Sequence, residues 1–141
     1  MPPVSRPTKP KGTTVAAARE RAAVEQVVAD YYGSWFEGDP ERMRSALHPQ
    51  LAKRSVEQDP GGKPYLDSIG TEYMVEATAQ GAGKKHPAGH ELVILDIDED
   101  LATVKVVSTP YVEYLHVARF GDRWQIVNVL WRSRQDSAAH R

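Results

Sequence analysis

The residue whose type and surroundings first suggest chemistry is a histidine within an alternating apolar segment. His116 lies in YVEYLHVARF (residues 111–120), and a Gly-Asp pair separates this segment from a second one, RWQIVNVLWR. A neutral imidazole can donate or accept a hydrogen bond, and it exchanges protons near pH 7. Two interpretations stay open. Either His116 contacts a ligand, or it is half-buried and satisfied by Tyr31, Tyr114 or a backbone carbonyl.

Other patterns exclude several kinds of site. The sequence has no cysteine, which removes disulfides, thiolate zinc sites and cysteine nucleophiles. His86 and His90 are four residues apart, but Pro87 and Gly89 oppose the helix that would bring both rings to one face. We therefore predict a flexible loop there and no metal site. No phosphate-binding or dinucleotide-binding glycine pattern occurs, so no cofactor is expected.

Composition and length set the class of protein. The 18 basic and 19 acidic side chains give a net charge of -1, so there is no basic field for a nucleic-acid partner. No apolar run is long enough for a membrane span, and the N-terminal segment lacks the apolar core of a secretory signal, so we expect a cytoplasmic protein. The 141 residues suit one domain at 16–133, with a disordered arm at 1–15 and a flexible tail at 134–141.

The order of elements predicts an α+β fold. A helix with a broad apolar stripe, closed at Gly38, precedes a helix capped by Asp39 and a short one in TEYMVEATAQG. LAKRSVEQ (51–58) is predicted as an edge strand, and four alternating strands follow from residue 90 with short, antiparallel links. Because these strands are apolar on both faces, we expect one face to pack on the helices and the other on a second copy of the chain.

The helix pair around YYGSWFEGDPERMRSALHP, the short third helix and the hairpin YLHVARFGDRWQIVNVLW together resemble the nuclear transport factor 2-like superfamily. Within it, the sequence is most similar to the putative lumazine-binding and polyketide-cyclase-like group. The resemblance implies a cone-shaped α+β fold, in which a curved antiparallel sheet wraps around a long N-terminal helix with two short helices. It also implies a pocket between that helix and the concave sheet face, and a homodimer through the outer face.

Ketosteroid isomerases of this superfamily provide a residue-by-residue comparison. Their tyrosine corresponds to Tyr31, their acid to His116 and their carboxylate base to Ser55. A serine cannot abstract a carbon-bound proton unaided, so the isomerase reaction is not expected. Counting along the strands from these positions gives a predicted ligand-binding set of Tyr31, Trp35, Val112, Tyr114, His116, Val127, Val129 and Trp131.

Three functions follow from these predictions. The first is a non-catalytic small-molecule-binding domain with an apolar and aromatic pocket. The second is an acid/base enzyme of the dehydratase, cyclase or isomerase type, with His116 and Tyr31 as its catalytic residues. The third is a protein-interaction module that uses the apolar outer sheet face. Tyr31 and Trp35 also fit a plain role as core between helix and sheet.

Overall fold

The structure is a computed structural model that describes residues 14–134. The predicted arm and tail therefore lie almost wholly outside the described residues, and the first helix begins one residue before the predicted domain boundary. The helices are α1 (Val15–Glu37), α2 (Pro40–Ala46), α3 (Thr71–Ala79) and a short 3₁₀-helix (Ala82–Lys85). The strands are β1 (Leu47–Gln58), β2 (Pro64–Ile69), β3 (His90–Asp98), β4 (Leu101–Ser108), β5 (Tyr111–Phe120) and β6 (Arg123–Ser133).

Helix α1 has a capping residue at each end, Thr14 at its start and Gly38 at its end. The Thr14 hydroxyl accepts a hydrogen bond from the Ala17 N–H at 2.8 Å, which satisfies one of the free donors of the first turn. Gly38 adopts a left-handed conformation (φ 77°) and closes the helix by donating to the Ser34 carbonyl. The apolar stripe of α1 is buried against the sheet and includes Val24, Val27, Val28, Tyr31 and Tyr32.

The turn between α1 and α2 is set by polar contacts. The Asp39 carboxylate accepts from the Arg42 N–H at 3.2 Å, and Pro40 occupies the first helical position, where no N–H is needed. The Arg42 guanidinium returns to α1, with Nε 3.0 Å from an Asp30 carboxylate oxygen. These contacts fix α2 across the end of α1, and they confirm the predicted end of α1 at Gly38 and the predicted start of α2 at Asp39. Helix α2 ends at Ala46, two residues earlier than its sequence suggested, because β1 begins at Leu47.

The six strands form one curved, open sheet in the order β2-β1-β6-β5-β4-β3. All neighbours are antiparallel except β1 and β6, which run parallel. The strand predicted as an edge is thus the second strand of the sheet, because β2 (PYLDSI) pairs outside it. The α+β class and the cone-shaped architecture are confirmed, although the sheet does not close into a barrel.

The core lies between α1 and the concave face of the sheet. Val104, Leu115, Val117 and Ile126 are fully or almost fully buried there. The convex face carries exposed apolar side chains, of which Val93, Leu95, Leu101, Tyr114 and Leu130 are between 43% and 60% exposed. Within residues 14–134, no helix is long and apolar enough to cross a membrane.

Candidate functional site

A buried ion pair lies at the centre of the concave face. The Lys53 ammonium of β1 is 3.1 Å from a Glu113 carboxylate oxygen of β5, and these side chains are only 9% and 2% exposed. Strand β6 lies between the two, and its Trp131 is the cross-strand partner of Glu113. The Lys53 Nζ lies 5.1 Å from the centre of the Trp131 ring, within the range of a cation–π contact.

Two consecutive tyrosines of α1 complete this cluster. The Lys53 ammonium donates a hydrogen bond to the Tyr31 hydroxyl at 2.7 Å. The Tyr32 hydroxyl donates to the Glu113 carboxylate oxygen that Lys53 does not contact. Both carboxylate oxygens and the ammonium therefore have buried partners, and a charge pair that is satisfied in this way can persist in an apolar interior.

The hydroxyls of the cluster stay protonated well above neutral pH. Burial raises the pKa of Tyr31 and Tyr32, and the negative charge of Glu113 raises both further. Burial likewise raises the pKa of Tyr111, while the nearby Trp35 indole partly offsets that rise. The hydroxyls of the site therefore act as donors, that of Tyr32 to Glu113, and the single carboxylate of the site already accepts from Tyr32 and Lys53.

The hollow above the ion pair is much smaller than the sequence suggested. It has a volume of about 10 Å³, which is room for one water-sized atom. The chain's own side chains fill the rest of the cone, and the residues that line the remaining space are Tyr31, Tyr32, Trp35, Lys53, Met74, Tyr111 and Glu113.

Three partly exposed aromatic residues, Trp35, Tyr111 and Trp131, form what we call the aromatic mouth of the cone. The Tyr111 and Trp131 rings meet edge to face, with centroids 5.6 Å apart. The His86 ring lies against the outer edge of this group, 5.7 Å from Tyr111. Because these rings are only partly buried, this is the side on which the interior reaches the surface.

Comparison with known proteins places the chain in a family. Residues 19–132 match the model of the family described as "Putative lumazine-binding". The chain belongs to this family. No curated protein matches the sequence.

Solved structures of similar fold support the architecture. A nuclear transport factor 2-like protein of unknown function from Silicibacter pomeroyi is 15% identical, with a TM-score of 0.63 over 83% of this chain and 98% of that one. A second such protein, from Shewanella baltica, is 16% identical, with a TM-score of 0.63 over 89% of this chain and 100% of that one. At these identities the likeness concerns the fold alone.

Four residues of the predicted ligand-binding set lie on the inner side of the sheet or on α1 facing it. Tyr31 is buried beside Lys53, Trp35 lines the small hollow, and Val129 and Trp131 follow the concave face of β6. Whether they bind a ligand stays a prediction, as does their simpler role in the core.

The other four residues lie on the outer face, which corrects their expected placement. Strand β5 buries Glu113, Leu115 and Val117, so the alternation turns Val112, Tyr114 and His116 outward. Val127 joins them because β6 has a bulge there, between the pairs His116–Asn128 and Val117–Ile126. His116 is exposed and contacts the Asn128 amide at 3.2 Å, and thus meets none of the partners expected for it.

Two of these outer residues, His116 and Val127, border a wide groove of about 450 Å³ on the convex face. The groove is lined by Asp96, Asp98, Leu101, Ala102, Thr103, His116, Val117, Ala118, Val127 and Asn128. His116 and Tyr31 are thus on opposite faces of the sheet, and the structure does not bring together the pair predicted for acid/base catalysis. The described residues contain no cluster of three or more histidine or acidic side chains arranged to hold a metal ion.

The sequence prediction missed Lys53 and Glu113, the two charged residues of the interior. Glu113 is in phase with Leu115 and Val117, two and four residues later, and this alternation was the available signal. It was ambiguous because Val112, Tyr114 and His116 make the opposite face equally plausible as an inner face. Lys53 gave a similar signal, since it alternates with Leu51 and Ser55 on the buried side of β1.

Proposed function

We propose that this chain binds a small planar molecule at the aromatic mouth of the cone, above the Lys53–Glu113 pair, and does not transform it. The observation that carries the proposal is the buried ion pair beneath partly exposed aromatic rings. Ligand sites are typically apolar and aromatic with a few fixed polar groups, and this arrangement has that composition.

The ion pair supports a binding role because it is costly for the fold. Moving two charges out of water costs several kcal/mol for each ion, and an apolar pair of similar volume is often at least as stable. Side chains with shifted pKa values are also concentrated at functional sites, and the pKa values of Tyr31 and Tyr32 beside this pair are raised. A structural purpose alone does not call for an ion pair and two hydroxyls at the centre of a small core.

The ligand that suits the site is a flat ring that slides between aromatic side chains. The 10 Å³ hollow admits only one ligand atom, so Tyr111 and Trp131 have to rotate outward to admit the ring. Both side chains are partly exposed at the mouth. The description of the family names lumazine, a bicyclic ring of suitable size, which makes lumazine the first probe.

The absence of turnover is proposed from the state of the only interior carboxylate among the described residues. Both oxygens of Glu113 accept hydrogen bonds, one from Tyr32 and the other from Lys53, and the side chain is only 2% exposed, so the carboxylate is engaged within the fold and is not presented to a substrate. The enzyme alternative relied on His116 with Tyr31, and those residues face different sides of the sheet.

The test is a calorimetric titration of the protein with lumazine. We expect Trp131→Ala to weaken binding about tenfold, because the ring loses its stacking partner. His116→Ala is the matched control on the outer face and should leave the affinity unchanged. The proposal fails if lumazine does not bind, or if only the His116 variant binds more weakly, since the outer groove would then be the site.

A second function, self-association, is supported by the outer face. Val93, Leu101 and Leu130 on this face are 57%, 60% and 54% exposed. Several large apolar side chains exposed on one face of a sheet are typical of an interface between proteins. We propose that a second copy of the chain covers it, which makes the protein a homodimer with one aromatic mouth in each subunit.

A further inference from the structure

The indole nitrogen of Trp35 is a buried donor without an acceptor. It is screened from solvent, and no group in residues 14–134 accepts a hydrogen bond from it. The nitrogen points toward the Tyr111 hydroxyl but does not reach hydrogen-bonding geometry. Buried polar groups of folded proteins nearly always have a partner, and leaving one without costs about 1–3 kcal/mol. Trp35 lines the same hollow as the ion pair.

The position of this indole is fixed by the segment that covers it. Gly83 of the 3₁₀-helix lies against Trp35 so closely that a Cβ there would be 2.7 Å from the indole nitrogen and 2.3 Å from the Trp35 carbonyl oxygen. Only a residue without a side chain allows this approach. The edge of the indole that carries the nitrogen is therefore held against the 3₁₀-helix, and the ring is fixed beside the hollow that it lines.

We propose that the Trp35 indole N–H donates a hydrogen bond to the ligand, which therefore presents an acceptor such as a carbonyl oxygen on its inward edge. This inference rests on the proposed function. The 10 Å³ hollow is the right size for that one oxygen atom, with the ring of the ligand lying across the aromatic mouth. An acceptor is needed rather than a donor because the neighbouring side chains that line the hollow supply donors, and Glu113 is already occupied.

A matched pair of probes separates the hydrogen bond from stacking. Quinazoline-2,4-dione carries two carbonyl groups, whereas naphthalene has the same bicyclic frame and no hydrogen-bond acceptor. We expect Trp35→Phe to weaken binding of the dione about three- to tenfold, as the loss of one neutral hydrogen bond usually does, and to leave binding of naphthalene unchanged. Trp124→Phe is the control, because that indole donates to Glu20 at 2.8 Å and does not line the hollow.

A spectroscopic measurement on the unaltered protein tests the same hydrogen bond if the Trp35→Phe variant does not fold. The chain has three tryptophans, so three indole N–H signals are expected in a ¹H–¹⁵N spectrum. Saturation with the dione should move the Trp35 signal downfield, and naphthalene should not. An equal loss of affinity for both probes in Trp35→Phe, or an unmoved Trp35 signal with the dione bound, overturns the inference and leaves the proposed function standing. If neither probe nor lumazine binds, both are overturned.

Discussion

The Lys53–Glu113 pair is an interior feature at which a single substitution should destabilise the fold strongly, because it would leave one buried charge without its partner. In Lys53→Met the Glu113 carboxylate stays buried without its cation, and we expect a loss of about 3–5 kcal/mol in the free energy of unfolding, measured by urea denaturation. The control is Arg44→Met, which breaks the exposed pair with Glu72 and should leave the unfolding midpoint almost unchanged.

The double variant Lys53→Met with Glu113→Leu separates the effect of an unpaired buried charge from the effect of altered packing. Removing both charges leaves no uncompensated carboxylate, so most of the lost stability should return. A double variant that is no more stable than Lys53→Met would contradict the account of this pair. It would mean that packing, and not the unpaired charge, dominates at this position.

Tyr31 and Tyr32 link the stability of the fold to alkaline pH. Burial raises the pKa of both above the ordinary value of 10.0, so above that pH the folded chain holds protons that the unfolded chain releases. The resulting stabilisation is complete below about pH 10 and is lost as pH rises toward the folded-state pKa. Each tyrosine contributes a slope of up to about 1.4 kcal/mol per pH unit.

Urea denaturation between about pH 9 and 11 measures this effect. The free energy of unfolding should fall less steeply with pH in Tyr31→Phe than in the unaltered chain, and identical slopes would refute the linkage.

The types of residue in the interior were easier to predict than which residues of each strand face inward. Tyr31, Trp35, Val129 and Trp131 were expected on the inner side and lie there or line the hollow, because helical periodicity and the end of the last strand are unambiguous. Strand β5 has apolar side chains on both faces, so alternation alone could not decide whether Glu113 or His116 faces inward.

At the level of elements, the 3₁₀-helix Ala82–Lys85 is held to α1 by a contact that tolerates no side chain. A Cβ at position 83 would lie 2.3 Å from the Trp35 carbonyl oxygen, so Gly83→Ala should cost about 1–3 kcal/mol through displaced packing. Thermal unfolding measures the loss, and a shift in tryptophan emission should accompany it. Gly61→Ala is the control, since its Cβ would meet only Asp59, at an ordinary 3.5 Å. Equal stability of the two variants would show that the 3₁₀-helix is not packed as described.

The predicted helices and the late strands were confirmed because caps and periodicity specify them locally. Strand β2 was missed because its short sequence, PYLDSI, begins with proline beside a turn and is mostly exposed. The parallel pairing of β1 with β6 and the bulge at Val127 depend on residues far apart in sequence. A local pattern cannot reveal such contacts.

For the molecule as a whole, the exposed apolar face predicts self-association. Light scattering should give twice the mass of one 15.7 kDa chain. Leu130→Lys puts a charge in the middle of the outer face, beside its cross-strand partner Tyr114, and should produce monomers. Tyr73→Lys is the control, because Tyr73 is 60% exposed on α3, away from the sheet. A monomeric unaltered protein would remove the dimer from the account.

The size of the hollow was the property that the sequence could predict least. The amino-acid types in the sequence correctly indicate an apolar and aromatic interior. The space left between the rings, however, depends on how Trp35, Tyr111 and Trp131 pack against one another. That packing leaves about 10 Å³. Binding at this site consequently requires movement of the aromatic mouth, and this is the step on which the proposed function depends.

The most direct test of ligand binding inside the cone is to locate the ligand by intermolecular nuclear Overhauser effects. The protein is saturated with lumazine, and contacts are sought to the ring protons of Tyr111 and Trp131 at the mouth and of Tyr114 and His116 on the outer face. Binding inside the cone predicts contacts to the first pair and none to the second. Contacts to Tyr114 and His116 alone would contradict it and would place binding on the outer face of the sheet.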